Sequence, residues 1–147
     1  MDSKFQIVHT VSEVVRNNHP SWNMPYVPGI KVCRGTPLYI SGVNAASIYH
    51  SHPHQREEFD HLDFSVENQA RLTMENLKMV LEAAGGTIQD VVQLMVFIVD
   101  IENNAEHIAP IVSSYFTSHL PTSTVTGVTA LFTDPRLVLE ITAVAYL

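Results

Sequence analysis

Glu140 is a carboxylate in the most apolar strand-like segment of this 147-residue sequence. Its neighbours Leu139 and Ile141 are aliphatic residues typical of a strand, where an unpaired carboxylate is costly to bury. A preceding apolar run, across the turn-forming break at 132–135, predicts a β-hairpin in which Glu140 faces Gly127. A glycine inside a strand often marks the close approach of a ligand. The pair therefore suggests a small-molecule pocket, and a solvent-facing Glu140 is the alternative.

Three histidines alternate along a polar stretch, at His50, His52 and His54, and Glu57 follows them. Alternate residues of an extended backbone lie on one side, so the three imidazoles would converge as metal ligands do. H-x-H followed by a glutamate is similar to the first motif of the cupin metal site, but the glycine and the second motif of that site are missing. Two interpretations stay open, a metal site and a solvated histidine-rich loop.

The composition is that of an ordinary globular domain, with 46% hydrophobic residues, 8 prolines and 6 glycines. A net charge of −7 disfavours nucleic acid or an anionic membrane as a partner, because phosphates attract basic clusters. A single cysteine excludes an internal disulfide and is typical of a reducing compartment. No signal peptide or membrane-spanning run is evident, so we expect a cytoplasmic protein.

Hydrophobic periodicity predicts an alternation of strands and helices along one domain. The helix over 65–84 has apolar residues at helical spacing and ends at Gly85-Gly86, and the strand over 91–99 is nearly apolar throughout. The other predicted elements are strands over 4–10, 31–34 and 38–41, a long loop over 44–63, a helix over 104–119 and the hairpin within 121–147. This order favours an α+β fold in which both helices cover one face of a mixed sheet.

Several motifs occur in an order that is specific for one family. They are Pro25-Tyr26, Ile40-Ser41-Gly42, Asn76-Leu77, Leu81 to Gly85, Val96 to Asp100, Pro121 and Leu139 to Ala145. In this combination the sequence resembles the Rid (YjgF-type) family of enamine/imine deaminases over about residues 24–145. The resemblance implies a chorismate-mutase-like fold, a single Rid-like domain over 1–147 and a homotrimer with small-molecule clefts between subunits. It also implies hydrolysis of reactive imines and enamines without a cofactor, with 2-aminomuconate as a substrate of some members.

The resemblance also implies roles for individual residues. Glu140 matches the glutamate that positions the attacking water and transfers protons, and Tyr26 matches the ring at the cleft. Ser41 and Gly42 match the cleft wall, and the main chain near Val125 matches a donor to the substrate. We expect these residues, together with Gly127 and Ser123, to line the site.

Ser123 departs from the family pattern, because it occupies the position of the arginine that holds the substrate carboxylate in deaminating members. A serine cannot make the planar, bidentate, charged contact of a guanidinium. Arg136, four residues before Glu140 on the same side of the strand, would lie roughly 13 Å away, which is far for one small ligand. Arg34, Lys31 and a loop histidine are the candidate replacements. The sequence therefore predicts a cofactor-independent enzyme that uses Glu140 as acid and base, either a deaminase or a divergent tautomerase, cyclase or lyase. The alternative is a non-catalytic ligand-binding or regulatory trimer.

Overall fold

The computed structural model describes residues 3–22 and 24–147. The strands are β1 (Phe5–Ile7), β2 (Ile30–Val32), β3 (Pro37–Val43), β4 (Val91–Val99), β5 (Thr122–Val128) and β6 (Leu139–Tyr146). The helices are α1 (Glu13–Asn17), α2 (Val66–Ala83) and α3 (Ile101–Ser114), with 3₁₀ turns at Arg56–Phe59 and Ile88–Asp90. No described helix has the length and apolar character needed to cross a membrane.

A four-stranded mixed sheet with the order β3-β6-β4-β5 forms the centre of the fold, and β1 pairs with β2 in a separate two-stranded sheet. β6 is antiparallel to both β3 and β4, whereas β5 runs parallel to β4. The parallel pair follows from the connection between its strands, because α3 carries the chain back to the starting edge. The α+β class with a mixed sheet is therefore confirmed.

The predicted C-terminal hairpin is wrong. β5 and β6 are both strands, but they lie on opposite sides of β4. Gly127 pairs with Ile98, and Glu140 pairs with Phe97, so these two residues do not face each other. The break between the runs resembles a hairpin turn, yet the chain over 129–138 crosses the end of β4 instead of reversing directly.

Both long helices pack on one face of the sheet, as expected. Alternate residues of β4 and β6 point toward the helices, where they meet the buried side of α2, including Met74, Leu77 and Leu81. Gln93, Met95 and Phe97 alternate with these core residues, as Glu140 does on β6, and therefore face the opposite side of the sheet. We call this second side, which none of the described helices covers, the open face.

The boundaries of α2 and β4 agree with the sequence prediction to within one residue, and Gly85 ends α2 with a left-handed φ of 84°. α3 begins and ends earlier than predicted. Asp100 starts it in a left-handed conformation with φ 51°, and its carboxylate accepts hydrogen bonds from Asn103. Pro110 lies inside α3, where it removes one helical hydrogen bond.

The long loop over 44–63 is packed and not merely solvated. Phe59, only 2% exposed, anchors it in a small second core with Ala45, Ala46 and Leu137. This second core fixes the path of the chain between β3 and α2, and the three clustered histidines lie on that path.

Candidate functional site

Glu140 lies on the open face of the central strand β6, where its side chain is half-buried. One carboxylate oxygen, Oε2, accepts a hydrogen bond from Asn44 Nδ2 at 3.3 Å. The side chain of Asn44 is itself buried, with 7% exposure. Glu140 is therefore a held carboxylate at the edge of solvent, which is a suitable position for exchanging protons with a bound molecule.

A β-bulge in β3 brings Gly42 against Glu140. Ile40 pairs with Ala143 and Val43 pairs with Ile141, so Ser41 and Gly42 together oppose one residue of β6. A Cβ at Gly42 would lie 2.5 Å from Glu140 Oε1. Bulges redirect side chains and are common beside active sites. The carboxylate of Glu140 thus occupies the space that a side chain at residue 42 would need.

Two asparagines hold this arrangement in place. Asn76, on α2, donates to the main-chain carbonyls of Asn44 and Ala46, both at 2.8 Å. Asn44 Nδ2 also reaches Thr133 Oγ1 at 3.3 Å, and its Oδ1 accepts the Ala46 N–H at 2.9 Å. The amide of Asn44 consequently has one orientation, with its NH₂ group toward Glu140. Sequence reasoning did not assign a role to Asn44 or Thr133.

A cleft of about 380 Å³ opens beside this network. We call it the bulge cleft; its lining includes Ser41, Gly42, Asn44, Tyr49, His50 and Thr133. The polar groups are concentrated near the bulge, and Tyr49 stands exposed at the rim. The cleft is large enough for a small metabolite.

The remaining predicted site residues lie elsewhere in the subunit. Tyr26, Ser123 and Val125 line a second cleft of about 420 Å³, together with Ala109 and other residues of α3. Ser123 and Val125 pair with Leu94 and Val96, which point toward the helices, so this cleft is on the side of the sheet opposite to Glu140. We call it the helix-side cleft. A single subunit therefore separates the predicted site residues into two groups.

Gly127 belongs to neither group. A Cβ there would lie 2.9 Å from the Cγ2 atom of Ile101, the first residue of α3. The close approach that its glycine permits is thus made by a helix of the same chain and not by a ligand. Within the described subunit, Gly127 is not among the residues that line the bulge cleft or the helix-side cleft.

Arg136 is fully engaged and is a poor replacement for the missing arginine. Its guanidinium donates to Asp134 at 2.9 and 3.0 Å and to Asp60 at 2.7 Å, and it lies 4.4 Å from the centre of the Phe64 ring. The hydrogen bonds from Arg136 lower the pKa of Asp134, whose side chain is buried, and the same contact raises the pKa of Arg136. The pair stabilises the loop before β6.

The three histidines do converge. Their ligand nitrogens all lie within 4.8 Å of one another, and their ring centroids are 4.5 to 5.0 Å apart. Glu58 is nearby, and hydrogen bonds from Ser51 lower the pKa of its carboxyl. His52 is exposed and the other two rings are half-buried, so the structure is compatible with both sequence interpretations, a metal site and a solvated histidine-rich loop.

The fold and the carboxylate at the bulge define a small α+β protein with a mixed sheet and a cleft beside the bulge of its edge strand β3. The chain belongs to the Rid (YjgF-type) family, because the family model described as Endoribonuclease L-PSP matches residues 16–147. The resemblance seen in the sequence motifs is thereby confirmed.

Two relatives illustrate the range of the family. The chain is 32% identical to RutC family protein SSO3206 from Saccharolobus solfataricus over 121 residues, which cover 82% of this chain and 86% of that protein. It is 31% identical over 123 residues, with the same coverage, to Escherichia coli TdcF, which carries the provisional name of a reactive intermediate deaminase.

Solved structures give the same result. A Rid-family protein of unknown function from Yersinia pestis, YyfB, matches with a TM-score of 0.74 and 26% identity, covering 99% of this chain and all of that chain. E. coli TdcF with bound serine matches with a TM-score of 0.62 and 29% identity, covering 86% of this chain and 91% of that one.

Proposed function

We propose that this protein is a cofactor-independent enzyme that uses Glu140 as acid and base on an enamine, an imine or a related unsaturated small molecule. The observation that carries the proposal is the half-buried carboxylate of Glu140, which accepts a hydrogen bond from Asn44 and lies against Gly42, two residues that line the bulge cleft. Similarity to TdcF supports a reactive intermediate as the substrate. The net charge of −7 favours a small molecule over RNA.

The chemistry that we propose needs only orientation and proton transfer. An iminium carbon is already electrophilic, so water can add to it once a carboxylate accepts the water proton. Glu140 would then return that proton to the nitrogen and accept the hydroxyl proton as the C–N bond breaks, so that the carbonyl compound leaves and the released ammonia carries the remaining proton away as ammonium. One carboxylate with access to both atoms is sufficient for both steps.

We further propose that the protein is a homotrimer in which the helix-side cleft of one subunit meets the bulge cleft of its neighbour. Such an assembly would bring Tyr26, Ser123 and Val125 of one subunit toward Glu140 of the next. The support from this chain is the open face, where Tyr39 and Met95 are 76% and 40% exposed. Large apolar residues on an uncovered sheet face favour association with other chains.

Ser123 shapes the expected substrate range. Its hydroxyl lines a largely apolar cleft and offers no positive charge to a carboxylate. We therefore expect weak turnover of simple 2-imino acids and better turnover of substrates whose acidic group is absent or lies farther from the reacting carbon. A 2-aminomuconate-type compound is the concrete candidate, since besides the carboxylate next to the reacting carbon it carries a second one at the far end of the chain, where other groups of the protein can bind it.

The test is ammonia release from freshly generated 2-iminopropionate, from 2-iminobutyrate and from 2-aminomuconate, with wild type and Ser123→Arg compared. A wild type that prefers 2-aminomuconate, together with a Ser123→Arg variant that gains activity on the imino acids, supports the proposal. If neither protein accelerates ammonia release from any of the three, deamination is excluded as the activity.

The competing function is a non-catalytic ligand-binding trimer, which the serine at position 123 favours because the usual substrate clamp is lost. Glu140→Gln separates the two functions. It keeps the size and the hydrogen-bonding capacity of the side chain but removes the base. An enzyme loses about 10²- to 10⁴-fold in turnover. Glu82→Gln, on the exposed surface of α2, is the matched control.

A further inference from the structure

His50, His52 and His54 form a compact cluster that the proposed reaction does not use. All three offer ring nitrogens within 4.8 Å of one another. Zinc holds imidazole nitrogens at about 2.0–2.1 Å, so a tetrahedral site places them roughly 3.4 Å apart. Small side-chain rotations would close the cluster around one ion.

His50 is oriented as a metal-bound histidine would be. Its Nδ1 lies 2.8 Å from the main-chain carbonyl of Ser47. A carbonyl oxygen only accepts, so Nδ1 carries the proton and Nε2 keeps its lone pair for a metal. Ligating histidines typically donate their second N–H to a carbonyl or carboxylate, which fixes both tautomer and ring direction.

Aromatic packing supports two of the rings. His50 meets the buried ring of Phe59 edge-on at 5.4 Å, and His54 meets Phe132 edge-on at 5.0 Å. Both of these histidines are half-buried, whereas His52 is exposed and closes the cluster from the solvent side. His50 therefore packs on the second core through Phe59, whereas the Phe132 ring beside His54 is itself exposed.

A fixed negative charge lies beside the cluster. Glu58 Oε2 accepts the main-chain N–H of Ser51 at 3.1 Å, and Ser51 separates His50 from His52. A carboxylate held beside the imidazoles offsets part of the charge of a bound cation. Three imidazoles without this neighbour would be a weaker site for a divalent ion.

We propose that His50, His52 and His54 bind one divalent transition-metal ion of the zinc class at the rim of the bulge cleft. His50 is shared by the cluster and by that cleft, which also includes Gly42 and Asn44. Three protein ligands leave a fourth tetrahedral position for water or for an anionic group of a bound molecule. The ion has no part in the step assigned to Glu140. The proposal of a metal site therefore does not depend on whether the protein is a deaminase.

The experiment measures metal binding on untagged protein after removal of bound metal with a chelator. Zn²⁺ stoichiometry is measured by elemental analysis after dialysis, and Co²⁺ binding by its visible absorption, which is intense for tetrahedral coordination. We expect one ion per chain with a Kd below about 1 μM. His52→Asn should weaken binding at least about 100-fold, because even the loss of a partner of a metal ligand costs 10- to 100-fold.

His61→Asn is the matched control, because His61 is an exposed histidine of the same loop outside the cluster. His52 is also exposed, so its replacement should leave the fold unchanged, which near-ultraviolet circular dichroism checks. Several weakly bound ions per chain, or equal losses from His52→Asn and His61→Asn, would mean adventitious surface binding only and overturn the proposal. Neither readout requires a substrate, so failure of the deaminase assay leaves this result unaffected.

Discussion

The Oε1 atom of Glu140 occupies the space directly over Gly42, so close that a methyl group at Gly42 would approach it to 2.5 Å. The glycine and the carboxylate lie on neighbouring strands, and the bulge in β3 brings them together. This contact makes the position of Glu140 dependent on the absence of a side chain at residue 42.

Gly42→Ala should therefore displace the Glu140 carboxylate while leaving the fold intact. A shift of about 1 Å in a reacting group can cost about 10²-fold in rate, and we expect a loss of that order in kcat/KM. Gly29→Ala is the control, because a Cβ there lies at an ordinary 3.4 Å from Val8. Equal activity of Gly42→Ala and wild type would show that the carboxylate position is not critical.

Asn76→Ala should reduce both stability and turnover. It removes two hydrogen bonds of 2.8 Å and leaves two carbonyls of the segment after β3 without their partner, at a cost of about 1–3 kcal/mol. Urea unfolding measures the first effect and steady-state kinetics the second. Asn68→Ala, on the same helix, loses two exposed hydrogen bonds, one donated to the Asp63 carbonyl and one accepted from Arg71, and should keep full turnover. A matching loss of turnover in Asn68→Ala would argue against a specific role for Asn76.

The Asp134–Arg136 pair should make stability fall in acid. The pKa of Asp134 is lower in the folded state than in the unfolded chain, chiefly because Arg136 donates hydrogen bonds to it. This contribution is complete above the unfolded value, about pH 4, and disappears as the pH falls through the folded pKa. Unfolding free energies measured from pH 7 down to pH 2 should show this decline.

Removing the guanidinium tests the same pair at neutral pH. Arg136→Met leaves the buried Asp134 carboxylate without its main partner and should destabilise the protein by roughly 2–4 kcal/mol. It should also flatten the acid decline, since the folded pKa of Asp134 rises. Arg71→Met, at an exposed position on α2, is the control. An unchanged acid profile in Arg136→Met would assign the decline to other carboxylates.

Met95→Glu should dissociate the proposed trimer. Met95 points out of β4 on the open face, and a charge there would be buried between subunits. Light scattering coupled to size-exclusion chromatography should give a trimer mass for wild type and a monomer mass for the variant. Met79→Glu adds the same charge at an exposed methionine on α2 and should remain trimeric. A monomeric wild type would refute the assembly.

Local patterns predicted the elements well. α2 and β4 were located to within one residue because helical spacing and an unbroken apolar run are properties of contiguous sequence. The pairing of β5 with β4 depends on contacts distant in sequence, and the break before β6 imitates a hairpin turn. The order of the strands in the sheet was therefore the part of the fold that the sequence pattern predicted wrongly.

The site followed the same division. Glu140 stood out because a charge interrupts an apolar strand, and Gly42 was found through the family motif. Asn44 and Asn76 were not assigned roles, since an amide in a polar stretch has no distinctive spacing and its hydrogen bonds appear only in three dimensions. The histidine cluster and its convergence were predicted from H-x-H-x-H, whereas the packing of His50 against Phe59 was not.

The position of β6 has a consequence for biosynthesis. β6 follows every other strand in the chain, yet it lies between β3 and β4 and supplies Glu140. While the ribosome is still producing the preceding segments, β3 and β4 lack the partner that joins them, and the apolar side of α2 has only part of its sheet to cover. The four-stranded sheet can therefore close only after β6 has been synthesised. The Glu140 carboxylate reaches its position beside Gly42 only at that stage of folding.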